Sequence, residues 1–380
     1  MKGSLKYIAL AVVALLLVAG AGGYYYAIYI PEKEAKQIMT SLNSSKPAIQ
    51  ALYSGQYDVA EAGLRALIKE APTKSEEARL QELLMATLFD TGNESKMAEA
   101  ASIAYNLIND YSVPAWIRAV TYNTLSRVVF AHITDISFYQ TYLGRPPFDA
   151  YLGTSGTDRE RMRNAYLALL QTSDEIYPTS FAEYALANHY FGVVIRTSPS
   201  QQVQEELAKL MQKYVAEGDT RDDSAFVAPG ATASLYAPYT IILNQLFRAQ
   251  AIALSNRILK NSPKESEEAY ARVKTTIDSI ESMGVDMSNP KIQAVLFTWR
   301  FAHADFLMTL FGTVRTQDIQ TLLVPFGTLT SQDVINFLEK NMLENIRPSS
   351  STNVVRARAL KLAAISPEFK AFLVRTGVQF

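Results

Sequence analysis

The chain has 380 residues, with 36 Lys+Arg against 37 Asp+Glu and a formal charge of −1 at pH 7. That balance excludes the broad basic footprint of a nucleic-acid binder, and 48% hydrophobic residues exclude an intrinsically disordered chain. Cysteine is absent, which excludes disulfides, thiolate metal sites and thiol nucleophiles, and there are only three histidines.

From the N-terminus, residues 1–7 carry Lys2 and Lys6, and residues 8–30 then contain no charged side chain. At 1.5 Å rise per residue that run covers roughly 34 Å, enough for a hydrocarbon core of about 30 Å. Tyr24, Tyr25, Tyr26 and Tyr29 cluster at its far end, where amphipathic rings favour the headgroup region. The spacing predicts a transmembrane signal anchor with a cytoplasmic N-terminus. The alternative is a cleaved signal peptide with an h-region at 8–18 and Ala19-Gly20-Ala21 as the small-residue cleavage pattern. Both readings put the remaining chain on the far side of a membrane, at a cell surface or in the periplasm.

Residues 31–380 read as helix after helix, with no sustained period-2 alternation and no Asn-Gly or Asp-Gly hairpin signal. The expected fold class is all-α. Thr73/Glu76, Thr157/Glu160, Ser180/Glu183, Ser198/Gln201 and Ser262/Glu265 match the capping box, and Pro199, Pro263, Pro290 and Pro367 match proline at a first helical position. Two stretches interrupt the pattern. Residues 144–156 combine Pro-Pro with glycines and cannot continue a helix. Residues 217–238 read as a loop or linker, dividing a helical domain at 31–216 from a C-terminal helical domain at 239–380.

The run ALYSGQYDVAEAGLRALIKEAP at 51–72 resembles the tetratricopeptide repeat (TPR) through Leu52, Gly55, Tyr57, Ala60 and Pro72. Each has an expected packing role. Gly55 lets two helices approach near their turn, Tyr57 fills the gap beside it, Ala60 sits at the crossing and Pro72 ends the second helix. Leu67 departs from the family, which has a small residue there. Gly92 lies 37 residues after Gly55 and opens a degenerate second copy, with a helix near 96–111 and a third hairpin opening at 116–130. The resemblance implies an α-solenoid whose concave face, lined by the first helix of each hairpin, holds a partner protein. Tyr53 and Tyr105 are candidates for that face.

The chemical inventory is otherwise sparse. Phosphate-loop, dinucleotide, HExxH and GxSxG motifs are absent, and Asp219, Asp222 and Asp223 lack calcium-loop spacing. Arg300, His303 and Asp305 are close in sequence, but Asp305 falls about 180° from Arg300 on a helix. The basic clusters at Arg159, Arg161 and Arg163 and at Arg356, Arg358 and Lys361 read as solvated faces. No enzyme activity, cofactor or metal is expected. The expected function is a membrane-tethered scaffold or assembly factor that binds other proteins. The alternatives are a self-assembling structural subunit, as a homo-oligomer, and an envelope enzyme or glycan binder using Glu175, Glu183 or Asp305.

Overall fold

The computed structural model describes residue 33 and residues 46–53, 55–221, 238–282, 285–343, 346–347 and 354–380. The described chain is all-helical and has no strand. Residues 8–30, the expected membrane span, lie outside the described residues. Among the described residues no helix is long and apolar enough to cross a membrane.

Among the described residues the first helices are α1 (Lys46–Tyr53), α2 (Tyr57–Glu70), α3 (Lys74–Asp90), α4 (Glu94–Asn109) and α5 (Ala115–Ala131). The connections are short because the turn residues are pre-adapted. Gly55 and Gly92 take positive φ, +76° and +67°, in the corresponding turns α1–α2 and α3–α4. Thr73 accepts the Glu76 amide at 3.1 Å and Asn93 accepts the Lys96 amide at 3.2 Å, capping α3 and α4. Helix α2 stops at Glu70, two residues before Pro72. Ala60 and Leu64 face inward and are fully buried, and Leu64 alone contributes about 2 kcal/mol of apolar burial.

One expected packing role changes. A side chain at Gly55 would meet nothing within 4 Å, so this glycine serves the turn and not a close helix approach. The close approach is at Gly63, where a Cβ would lie 2.8 Å from the Ala48 Cβ. Tyr57 opens α2, and its hydroxyl bonds to Lys291.

The break after α6 (Ile136–Leu143) is a packed segment containing a short 3-10 helix, Phe148–Leu152. Phe148 is fully buried with the Tyr105 and Tyr122 rings at 5.0 and 5.9 Å, and the Tyr139 hydroxyl donates to its carbonyl at 2.8 Å. Helix α7 (Asp158–Ile176) starts with the expected box, Thr157 and Glu160 bonding reciprocally. It lies along α5.

Helices α8 (Ser180–Thr197), α9 (Gln201–Asp219), α10 (Pro238–Ile258), α11 (Lys264–Ser282) and α12 (Pro290–Phe311) follow. The cap of α8 is Thr179, not Ser180, which leaves the Glu183 side chain to another partner. Ser198 adopts a left-handed conformation ending α8, and Ser200 precedes α9, so Ser198/Gln201 is not a capping box. Asn289 and Ser366 cap α12 and a later helix with proline next in sequence, as expected. Helix α9 runs to Asp219, so residues 217–219 belong to the helix; 222–237 lie outside the described residues.

Packing crosses that connection. Ala187 and Val194 of α8 and Met211 and Val215 of α9 share a core with Ala251 and Leu254 of α10. The chain ends in α13 (Thr316–Leu323), α14 (Gln332–Leu338), α15 (Val354–Ile365) and α16 (Pro367–Arg375), around an aromatic knot of Phe297, Phe326, Phe369 and Phe372. Many consecutive helices pack together, such as α3 on α4 and α8 on α9, and some alternate ones do too: α3 on α5, α8 on α10 and α10 on α12. Helix α15 returns to touch α8, which closes one side of the molecule.

Candidate functional site

Alternation divides the helices into two kinds. Helix α11 has one apolar stripe, Ala269, Tyr270, Val273, Ile277 and Ile280, and an otherwise charged surface. Helix α12 buries Ile292, Val295, Phe297, Trp299, Ala302 and Phe306 around its circumference, as α8 does with its own apolar residues. A helix that is apolar all round has neighbours on more than one side. The inner helices α3, α5, α8, α10 and α12 meet at a cleft of about 700 Å³, completed by α7, α14 and α15.

The cleft combines apolar walls with cations. Phe130 and Leu310 are large hydrophobic side chains left 37% and 38% exposed, and both face it. Seven arginine and lysine side chains line it against three aspartates. At the N-terminal ends of α10 and α12, the Arg127 guanidinium donates to the Tyr239 and Thr240 hydroxyls at 3.0 and 3.1 Å. Lys291 pairs with Asp90 at 2.9 Å between the Tyr57 and Tyr239 rings. Burial opposes its charge, but Asp90, Tyr239 and Tyr57 outweigh burial and hold the ammonium above the usual lysine range. Behind it, the buried Arg79–Glu82 pair leads to the Thr124 hydroxyl, which donates to Glu82 at 2.6 Å.

The other cations gather on helix ends. Arg196 is in the last turn of α8, with Arg159 and Arg163 near it from the start of α7. Burial and those two like charges lower Arg196 to about 10, and burial with Arg196 and Arg163 lowers His189 to about 4. Arg257, in the last turn of α10, is lowered by burial and by Arg358, with Asp305 opposing. Asp305 bonds to Arg358 at 3.1 Å.

The sequence-derived candidates are distributed as follows. Leu52, Gly55, Tyr57, Ala60 and Pro72 all sit in the α1–α3 region; Tyr57 reaches the chain's distant half through Lys291, and Leu52 lines a small cavity with Tyr57, Tyr239 and Lys291. Tyr53 ends α1, and its side chain lies outside the described part. Tyr105 is engaged internally: its hydroxyl donates to the Arg145 carbonyl and accepts the Arg145 amide, both at 3.1 Å. Arg300, His303 and Asp305 do separate. Arg300 lies over Trp299, His303 stacks on Tyr270 at 4.8 Å, and Asp305 faces the cleft. Glu175 is exposed and Glu183 is buried against Asp174 and Arg221, so these carboxylates do not converge with Asp305.

The arginines at 159 and 163 line the cleft, correcting the solvated-face reading, and Arg358 joins them there. Arg196, Arg257 and Asn244 were not singled out from the sequence. Their signal is a lone cation or amide on an otherwise apolar helix, which reads equally well as a favourable charge at a helix C-terminus. Among the described residues no group of three or more His, Asp or Glu side chains could hold a metal ion. Comparison with protein-family models, curated proteins and solved structures gives no match to the chain.

Proposed function

We propose that the chain is a membrane-tethered extracytoplasmic scaffold built as a TPR-like solenoid, which holds a protein partner at the membrane surface. The observation that carries this reading is the packing of helices in sequence order, in which α3, α5, α8, α10 and α12 form the inner wall. A single helical hairpin cannot bury both of its faces, so stacked hairpins share one continuous core and leave a concave surface for binding. The corresponding positive-φ turns at Gly55 and Gly92 support the repeat in the first two hairpins. The uncharged run at 8–30 supports the tether.

Tyr111, in the turn between α4 and α5, is 84% exposed and makes a better reporter of partner contact than the internally bonded Tyr105. A photoreactive residue replacing Tyr111 in intact membranes should give a reproducible crosslink to one different polypeptide. Crosslinks between copies of this chain alone would replace the scaffold with the self-assembling subunit. No protein crosslink from this or any other exposed position, those on the inner helices α3, α5, α8, α10 and α12 included, would overturn both.

A further inference from the structure

We propose that the cleft is a binding site for an anionic amphiphile, a single acyl chain ending in a carboxylate or phosphate. This goes beyond the scaffold reading, in which the same inner helices face the protein partner, and its test is read separately from that one.

The volume of about 700 Å³ lies in the range of about 300–1,000 Å³ usual for small-molecule sites. Its walls expose Phe130 and Leu310, side chains that water solvates poorly and that a soluble core would cover. An apolar occupant of elongated shape removes that exposure.

The polar atoms then define the other end of the ligand. Two of the three lining acids have basic partners: Asp90 has Lys291 and Asp305 has Arg358. Arg196 and Arg257 make no hydrogen bond or ion pair with an acidic side chain among the described residues, although they end the adjacent helices α8 and α10. Asn244 is 7% exposed, lines the cleft, and its amide nitrogen has no hydrogen-bond partner. A buried donor without an acceptor is costly, so the cleft favours an occupant that brings acceptors. The residual chemistry is therefore an excess of donors. A peptide would bring as many N–H donors as carbonyls, whereas a carboxylate or phosphate brings acceptors only. Arginine forks fit those oxyanions in bidentate geometry.

The test uses the full chain in lipid nanodiscs with a palmitic acid carrying a diazirine in its tail, followed by irradiation and peptide mapping. Label on the α5, α8, α10 and α12 peptides should saturate and should be competed by oleate but not by methyl oleate. The R196Q/R257Q double variant should need at least tenfold more probe for half-labelling, while R196K/R257K keeps most of the binding. Label within residues 1–45 reports simple bilayer contact and serves as the internal reference. Competition by oleoyl phosphate at lower concentration than oleate would assign the phosphate; the reverse order would assign the carboxylate. Equal competition by methyl oleate, or cleft peptides no more labelled than α11, would overturn the proposal. If the glutamine variant fails to fold by circular dichroism, the oleate against methyl oleate comparison on the natural chain still decides it. Protein crosslinks from Tyr111 are read separately, so failure of one proposal is distinguishable from failure of the other.

Discussion

At the scale of single residues, burial decides what an ionisable side chain does. Glu183 opens α8 with its carboxyl buried against Asp174, and Arg221 reaches it at 3.0 Å. Desolvation and then the Asp174 charge push it up to about 7, against an ordinary value of 4.5. Between those values the folded chain holds a proton that the unfolded chain releases. Stability from this site is therefore fully present below about pH 4.5 and is lost as pH rises through 7. Glu183→Gln cannot ionise. Relative to the natural chain the variant should gain on the order of 1–3 kcal/mol between pH 5 and pH 8 in urea unfolding. Parallel pH profiles for the two proteins would mean that Glu183 ionises normally. Two half-buried histidines act with the opposite sign: His189 and His303 are both lowered to about 4, mainly by desolvation, so their NMR ring signals should stay at neutral positions through pH 6.

At the scale of elements, α1 and α2 meet without space for a methyl group at residue 63. Gly63→Ala gains about 1 kcal/mol of helix propensity and meets Ala48 at 2.8 Å, an overpacking that costs about 1–3 kcal/mol. Overpacking outweighs propensity, and α1 is a short helix packed chiefly on α2, so the strain is relieved by displacing it. Amide exchange in 46–53 should rise in Gly63→Ala, and the Ala48→Gly/Gly63→Ala pair should restore it. An unchanged α1 in the single variant would show that the contact gives way without cost. The elements themselves were legible where a local cause produces them. Thr73 and Thr157 cap as their spacing implies, because a capping box involves only four consecutive residues. Ser180 and Ser198 fail because Thr179 and Ser200 compete one or two residues away, and backbone direction rather than residue type selects between them.

At the scale of the molecule, the first hairpins are tied to the C-terminal half by few polar contacts. Lys291 of α12 joins Asp90 of α3 at 2.9 Å, some two hundred residues apart in sequence. Both side chains are about a third exposed, so a surface pair's small value and a buried pair's larger one bracket the contribution. A double-mutant cycle of Lys291→Met with Asp90→Asn should give a coupling of about 1–2 kcal/mol in urea unfolding. A coupling near zero would assign the docking to the Tyr57 and Tyr239 rings instead. Helices α8 and α9 share one apolar core with α10, so the helices on either side of residues 222–237 dock through buried side chains.

The sequence by itself determined the helical class, the helix starts after Thr73, Thr157, Asn289 and Ser366, the break at 144–156, and the positions of the first two turns. Helical period, caps and glycine conformations are properties of a few neighbouring residues. Only the tertiary structure decided which helices face inward and which charges share the cleft. Arg159, Arg196, Arg257 and Arg358 come from four helices spread over some two hundred residues. No local spacing encodes that meeting, because it depends on how successive hairpins stack and on the return of α15 to α8.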